Sequence, residues 1–169
     1  MKFMPLHGKY GEGRFTLVDD EDFEYLNQFN WHLTPNGYAK RCENRTLSPG
    51  IYSIKNHQMS RNIMNVTDRS ILVDHINHDK LDNRKRNLRL CTATQNLGNM
   101  VSKTGNSKYK GVRYRSDRKK WVARIHKNHK QMNLGHYETE IEAAEAYDKK
   151  ALEIYGEFAN PNFPRGDYA

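Results

Sequence analysis

Residues 72–99 have the sequence LVDHINHDKLDNRKRNLRLCTATQNLGN, and this stretch guides the interpretation of the whole chain. An apolar run ending in Asp74 and His75 predicts a strand, and the alternating segment 88–92 predicts a second, half-buried strand after an Asn-rich loop. Thr92 and the glutamine three residues later have the form of a capping box, which predicts that a helix begins there. Asn96 falls in the first turns of that helix, where it can face back toward Asp74.

These residue types suit the hydrolysis of a phosphodiester bond. A neutral imidazole such as that of His75 can act as a general base on water near neutral pH. A hard divalent cation prefers oxygen ligands, which the carboxylate of Asp74 and the amide of Asn96 supply. Taken singly, each residue is better explained as a polar strand end or as turn chemistry. Their order within a strand, loop, strand and helix favours the catalytic interpretation.

The stretch resembles the ββα-metal motif of the HNH endonucleases, in the form found in phage and intron homing enzymes. The resemblance implies that Asp74 and Asn96 bind Mg²⁺ or Mn²⁺ and that His75 activates the attacking water. It also implies that Asn87 has a structural role and fixes the loop between the two strands. Zinc is not expected, because Cys42 and Cys91 are the only cysteines and four-cysteine zinc sites are excluded.

Composition points to small modules and an anionic partner. The 169 residues are 36% hydrophobic with a mean hydropathy of −1.00, which suits two or three modest cores better than one large one. The net charge of +8 and the pI near 9.4 favour nucleic acid as the partner. No signal peptide, membrane-spanning run or disulfide framework is expected. We therefore expect a cytoplasmic protein of a bacterial host cell, with a phage or mobile element as a compatible source.

Residues 1–71 form a predicted strand-rich module. Residues 15–19 predict a strand, and the acidic run after it predicts a short helix through about Gln28. Two further strands, at 31–33 and 38–41, are joined across an Asn-Gly turn, which is a hairpin signal. The module is interpreted as a scaffold, although Tyr38, Lys40 and Arg41 are candidates for lining a DNA groove.

Residues 109–164 predict a three-stranded sheet followed by one helix. The strands are expected at 109–115, 120–126 and 131–137, with turns at 117–118 and 128–129. Thr139 and Glu142 form a second capping box, and Gly156 is expected to end the helix. The apolar stripe expected to pack on the sheet consists of Ile141, Ala144, Tyr147, Ala151 and Tyr155.

This module resembles the Apetala-two (ethylene-response-factor-like) DNA-binding domain, through Tyr-Lys-Gly-Val-Arg at 109–113, Trp-Val-Ala-Arg-Ile at 121–125 and Asn-Phe-Pro at 162–164. The resemblance implies that the sheet lies in a DNA major groove. The implied DNA-binding residues are Arg113, Arg115, Lys120, Arg124 and His126. Trp121 has the opposite phase on its strand and is expected to pack in the protein.

Residues 108–130 independently carry ten Lys or Arg against one acid, Asp117. A basic, solvated sheet edge that discourages aggregation is the alternative explanation.

Together these patterns predict an α+β protein of four segments. The predicted segments are the N-terminal module 1–71, the nuclease core 72–100, a linker at 101–108 and the DNA-binding domain 109–164. The predicted function is a metal-dependent DNA endonuclease of homing type, which acts as a monomer or weak dimer and nicks double-stranded DNA. A non-catalytic, sequence-specific DNA-binding regulator is the alternative, because Ser60 stands where the HNH relatives usually have histidine. An RNA-directed binder has weaker support, because the sheet lacks an obvious set of exposed aromatics.

Overall fold

The computed structural model describes residues 1–101, 106–127 and 130–164. Residues 102–105 of the predicted linker and the predicted turn at Asn128 and His129 lie outside the described residues. By its internal contacts the chain divides into two compact units, Met1–Cys91 and Thr92–Ala169. Helices and antiparallel sheets occur in both, so the predicted α+β class is confirmed.

The first unit is built from three small antiparallel sheets and two short helices. Its strands pair as β1 with β2, as β3-β4-β5, and as β6 with β7. Its elements are β1 Lys2–Pro5, β2 Phe15–Val18, α1 Asp20–Leu26, β3 His32–Leu33, β4 Ala39–Ser48, β5 Ile51–Gln58, α2 Met59–Ile63, β6 Leu72–His75 and β7 Leu88–Cys91.

The core of the first unit lies under β1, β2 and α1. Trp31 is 1% exposed, and its indole nitrogen donates to the Leu26 carbonyl at 2.9 Å, so burial leaves the ring's polar group satisfied. Leu81, from the loop between β6 and β7, packs against this same core. The nuclease hairpin and the N-terminal strands therefore share one hydrophobic core rather than forming separate ones.

The second unit is a three-stranded sheet covered by one long helix, with a short helix before it. The strand order is β10-β9-β8. Its elements are α3 Ala93–Asn99, β8 Val112–Arg115, β9 Lys120–Lys127, β10 Lys130–Tyr137 and α4 Glu140–Tyr155. Both predicted capping boxes are formed, at Thr92 with Gln95 and at Thr139 with Glu142.

Helix α4 packs on the sheet through a stripe that differs from the predicted one at its start. Ile141 is 53% exposed, so its assignment to the stripe is wrong, whereas Ala143 and Ala144 are fully buried. Ile141 lies in the first turn of the helix, immediately after β10 ends at Tyr137. At the other end, Gly156 has a φ of +54° as the C-cap of the helix, as predicted for this glycine.

No helix among residues 1–101, 106–127 and 130–164 is long and apolar enough to span a membrane.

Candidate active site and nucleic-acid interface

Asp74 and His75 end strand β6, as the sequence predicts, and both side chains are buried. The β6–β7 register places Asp74 opposite Arg89. Arg89 Nε donates to Asp74 Oδ2 at 3.0 Å, and its Nη2 lies 2.9 Å from the same oxygen. The guanidinium therefore orients the carboxylate and balances its negative charge within the hairpin.

His75 is oriented by Asn83. The ring Nε2 lies 3.2 Å from Asn83 Oδ1, and Asn83 Nδ2 donates to Thr16 Oγ1 at 2.8 Å. Because the Asn83 amide nitrogen donates elsewhere, its oxygen faces the imidazole and accepts a hydrogen bond from Nε2–H. In the neutral ring, Nδ1 is then the basic nitrogen.

The environment of His75 keeps its ring neutral. Burial lowers the pKa of His75 from 6.5, and the hydrogen bond to Asn83 and the negative charge of Asp74 oppose this shift only in part. A histidine with a lowered pKa is uncharged near pH 7, which is the state that a general base requires.

Tyr38 lies beside His75, with the two ring centroids 6.0 Å apart. Lys80 Nζ lies 4.6 Å from the centre of the Tyr38 ring and donates to the Asn36 carbonyl at 3.0 Å. Burial and the charge of Asp74 raise the pKa of Tyr38, so its hydroxyl stays protonated. Lys80 therefore lies over the Tyr38 ring, and that ring lies beside the imidazole.

The loop between β6 and β7 is held by Asn87 and Asp82. Asn87 Oδ1 accepts from the Asn77 backbone nitrogen at 3.0 Å, and Asn87 Nδ2 donates to the Asp82 carbonyl at 2.8 Å. The Arg84 guanidinium donates to both oxygens of Asp82, at 2.7 and 2.6 Å, and lowers the pKa of that carboxyl. These bonds close a loop in which His78 adopts a positive φ of 65°.

Asn96 lies on α3, which belongs to the second unit. Helix α3 begins at the Thr92 capping box, where Thr92 Oγ1 accepts from the Gln95 nitrogen at 3.3 Å. Its last turn packs against the end of α4: a Cβ added at Gly98 would lie 2.6 Å from Tyr155 Cγ. Lys110 Nζ donates to the Gly98 carbonyl at 2.7 Å. The helix that carries Asn96 is therefore packed into the C-terminal sheet-and-helix module.

The donor atoms of Asp74 and Asn96 fit a hard divalent cation. A carboxylate and an amide oxygen suit Mg²⁺, which keeps several waters and binds through one or two carboxylates together with substrate phosphates. Within the part of the chain that the structure describes, no group of three or more His, Cys, Asp or Glu side chains is placed to hold a metal ion. Each of the two residues, taken by itself, therefore offers an oxygen donor that suits Mg²⁺.

One face of the C-terminal sheet gathers the predicted DNA-binding residues. Arg113 pairs with Val122 and Arg115 with Lys120 across the β8–β9 register. Because opposed residues share a face and neighbours alternate, five side chains lie on the same side of the sheet. They are Arg113, Arg115, Lys120, Arg124 and His126.

Trp121 lies on the other face, as its phase predicts, with its ring centroid 5.1 Å from that of Tyr114.

Part of this basic face is neutralised within the module. Arg115 donates to Asp117 at 2.9 and 2.6 Å, and Lys120 lies 2.6 Å from Glu138. Among the ion pairs of the described residues, none involves Arg113 or Arg124. These two arginines, which also line a shallow depression on the sheet, are therefore the cations most available to an anionic partner.

Comparisons with known proteins decide the family. The HNH endonuclease model matches residues 70–97, and the AP2 domain model matches residues 107–157. A relative in Acanthamoeba polyphaga mimivirus, an uncharacterized HNH endonuclease, is 34% identical over 157 residues, which cover 90% of this chain and 76% of the relative. The chain belongs to the HNH endonuclease family.

The AP2 domain of this HNH endonuclease has a plant counterpart. An ethylene-responsive transcription factor of Arabidopsis thaliana is 42% identical over 66 residues, which are 38% of this chain and 15% of that protein. Both resemblances predicted from the sequence are thus confirmed. The protein is a DNA endonuclease, and DNA is its partner.

Sequence reasoning missed two residues that shape the endonuclease site. Arg89 could have been found, because closing the hairpin between the two predicted strands brings it opposite Asp74. Asn83 gave no distinguishing signal, since it sits among other loop asparagines that were interpreted as turn formers.

Ser60, in the place of the usual histidine, is buried in α2. The nearby His57 is paired elsewhere, with its Nε2 2.7 Å from Glu43 Oε2.

Proposed function

We propose that this HNH endonuclease is a metal-dependent, homing-type enzyme that nicks double-stranded DNA at sites selected by its AP2 domain. Asp74 and Asn96 are the proposed metal ligands, and His75 is the proposed general base. Asn87 has a structural role in this proposal. Arg113, Arg115, Lys120, Arg124 and His126 are the proposed DNA-binding residues.

HNH endonucleases are generally dependent on a divalent metal. When bound, Mg²⁺ or Mn²⁺ neutralises phosphate charge and stabilises the departing oxygen. The protein supplies the other components: His75 accepts a proton from the attacking water, and Asn83 holds the ring through Nε2. Arg89 orients Asp74 through its Oδ2. Tyr38, whose ring lies beside the imidazole, is a further proposed contact for a phosphate oxygen.

The observation that carries the catalytic proposal is the position of His75, which follows Asp74 at the end of β6 and is held there by Asn83. Its pKa is lowered by burial, and its proton is directed to Nε2 by Asn83. A histidine kept neutral with Nδ1 basic can act as a base at pH 7. One such site per chain acts on one strand, so a monomer is expected to produce nicks.

The test is an incubation of purified protein with supercoiled plasmid and Mg²⁺. We expect wild type to produce open circles, and His75→Ala to lose at least about a hundredfold in rate because a general base contributes that much. DNA binding in the presence of a chelator should be unchanged in this variant. His7→Ala, which alters an exposed histidine of the same unit, is the matched control. Cutting by His75→Ala at the wild-type rate would show that His75 is not the general base.

The same incubation separates the enzyme from the regulator alternative. A regulator would bind DNA but leave every plasmid supercoiled at all metal concentrations. Ser60, in the place of the usual histidine, is the feature that favours this alternative.

A further inference from the structure

We infer that the ribbon formed by β4 and β5 is a second DNA-binding surface of the endonuclease, which lies in the major groove beside the cutting site. The ribbon, defined as residues 42–56, lies outside the ranges 70–97 and 107–157 that the HNH and AP2 models match. Neither family resemblance therefore assigns it a role.

The ribbon stands free of the core along most of its length. Strand β3 pairs with β4 only at Lys40 and Ala39, so two strands alone continue beyond that point. Just before the ribbon begins, Arg41 contacts the core of the unit: its guanidinium lies 3.9 Å from the centre of the Phe29 ring. Beyond this contact, the ribbon exposes four large apolar side chains: Leu47 at 66%, Ile51 at 57%, Tyr52 at 70% and Ile54 at 66%. Such an apolar cluster on a polar protein marks an interaction surface.

The β4–β5 register divides the ribbon into two different faces. One face carries the charged residues, where Glu43 accepts from Arg45 at 3.0 Å and lies 2.7 Å from His57 Nε2. The opposite face has no charged side chain. Its cross-strand pairs are Cys42 with Asn56, Asn44 with Ile54, and Thr46 with Tyr52.

The chemistry of the uncharged face suits the edges of DNA bases. A major groove admits a two-stranded β-ribbon, where asparagine can pair with adenine and apolar side chains contact the thymine methyl group. Asn44, Asn56 and Thr46 supply the hydrogen-bonding groups, and Ile54 and Tyr52 supply the apolar contacts.

The charge of the hairpin favours DNA over a second copy of the chain. Within residues 39–58 the cations Lys40, Arg41, Arg45 and Lys55 face a single acid, Glu43. The phosphates on either side of a DNA groove attract this excess of positive charge, whereas two such hairpins would repel each other.

The ribbon begins next to the proposed base. The Tyr38 ring centroid is 6.0 Å from that of His75, and β4 begins with the following residue, Ala39. At about 3.3 Å per residue, a ten-residue strand such as β4 extends about 30 Å, which is close to the roughly 34 Å of one DNA turn. DNA whose scissile phosphate lies at His75 can therefore follow the ribbon for about one turn. This placement, but not the binding itself, rests on the proposed role of His75.

The experiment measures DNA binding by the full chain with Tyr52→Ser and Ile54→Ser combined. Fluorescein-labelled duplexes of random sequence, between about one and about four helical turns long, are titrated in excess chelator so that they are not cut. We expect affinity to fall about tenfold, because apolar base contacts are lost. The duplex length at which affinity stops rising should shorten by about one turn. The salt dependence should not change, because no cation is removed.

Two further variants keep the outcome clear. Ile141→Ser, which alters a 53% exposed apolar residue on α4, should bind like wild type. Asn44→Asp places a negative charge on the uncharged face at an exposed position, outside the core, and should weaken binding by repelling phosphate.

Unchanged affinity and unchanged length dependence in both ribbon variants would overturn the inference. So would unchanged DNA binding together with a shift from dimer to monomer in sedimentation, since a second copy would then be the occupant. If His75→Ala cut normally while the ribbon variants lost affinity, His75 would not be the general base, but the inference that the ribbon binds DNA would be retained.

Discussion

At the scale of single residues, the imidazole of His75 owes its proposed role to a neighbour that is eight positions away in sequence. Asn83 is 2% exposed, and its amide is shared between His75 and Thr16. The sequence predicted the histidine, because Asp-His at the end of an apolar strand is informative. It could not predict Asn83, because the partner of a loop asparagine depends on which strand the loop packs against.

The pH dependence of cutting follows from the His75 environment. Because burial lowers its pKa, the neutral base persists below the ordinary value of 6.5 and is lost only as pH falls through the lowered value. We expect the acid limb of single-turnover cleavage at saturating DNA and Mg²⁺ to be centred below pH 6.5. An acid limb centred above pH 6.5 would contradict a lowered pKa for His75. DNA binding measured over the same pH range distinguishes a loss of catalysis from a loss of affinity.

At the scale of helices and strands, the elements that begin with a recognisable sequence signal were predicted correctly. The capping boxes at Thr92 and Thr139 correctly placed the starts of α3 and α4. Strand β5 was not predicted, and β4 was expected to be far shorter than Ala39–Ser48. Most residues of these strands are exposed on both faces, so the alternation that identifies a half-buried strand is absent. Cross-strand pairing, which a single segment cannot reveal, is what forms them.

The basic sheet face yields a prediction about DNA affinity. Arg113→Ala combined with Arg124→Ala should weaken binding by more than tenfold, since an arginine contact to a base is worth about 1–3 kcal/mol. Site choice should broaden, and the salt dependence should become shallower if either arginine contacts phosphate. Binding titrations at several salt concentrations, with cleavage mapping, would check this.

The matched control for the sheet arginines removes the same charge elsewhere. The control is a double variant, Lys149→Ala with Lys150→Ala. Both lysines lie on α4, which packs on the opposite face of the sheet, so this variant should change DNA affinity little. If the two double variants behaved alike, net charge rather than the sheet face would govern binding.

The close packing of α3 on α4 yields a prediction about stability. A methyl group at Gly98 would lie 2.6 and 2.8 Å from Tyr155 Cγ and Cβ and 3.0 Å from the Phe158 carbonyl oxygen. These atoms sit at or near the backbone and cannot swing away, so Gly98→Ala should lower the free energy of unfolding by roughly 1–3 kcal/mol. Urea unfolding measures this change. Leu97→Ala, at a 43% exposed neighbour on the same helix, should be close to neutral.

At the scale of the whole molecule, composition and motif order predicted a basic, two-function protein. The domain limits at 71, 100 and 108 remain a prediction, because contacts divide the chain instead into Met1–Cys91 and Thr92–Ala169. Composition suggests a linker at 101–108, yet it cannot show that Leu81 joins the N-terminal core or that Gly98 lies against Tyr155. Such contacts between distant segments depend on the shape of the folded units.

Metal removal tests the complete enzyme. Excess chelator should stop plasmid cutting, because Asp74 and Asn96 would then have no cation to hold against the phosphate. Binding to the same plasmid should persist, since the basic sheet face needs no metal. Readdition of Mg²⁺ should restore nicking, and Mn²⁺ should substitute for it. Undiminished cutting in chelator would refute the metal-ligand assignments.

The packing of α3 has a practical consequence for anyone who wishes to retarget the endonuclease. A new DNA-binding domain grafted after residue 100 would leave Gly98 facing a surface without Tyr155 and without the lysine that binds its carbonyl. A transplant that keeps the present α3 must therefore also carry α4 and the segment around Lys110. A joint between Cys91 and Thr92 would keep α3 with its present domain, but it would also remove the proposed metal ligand Asn96, so an incoming domain must supply an equivalent asparagine on its own first helix.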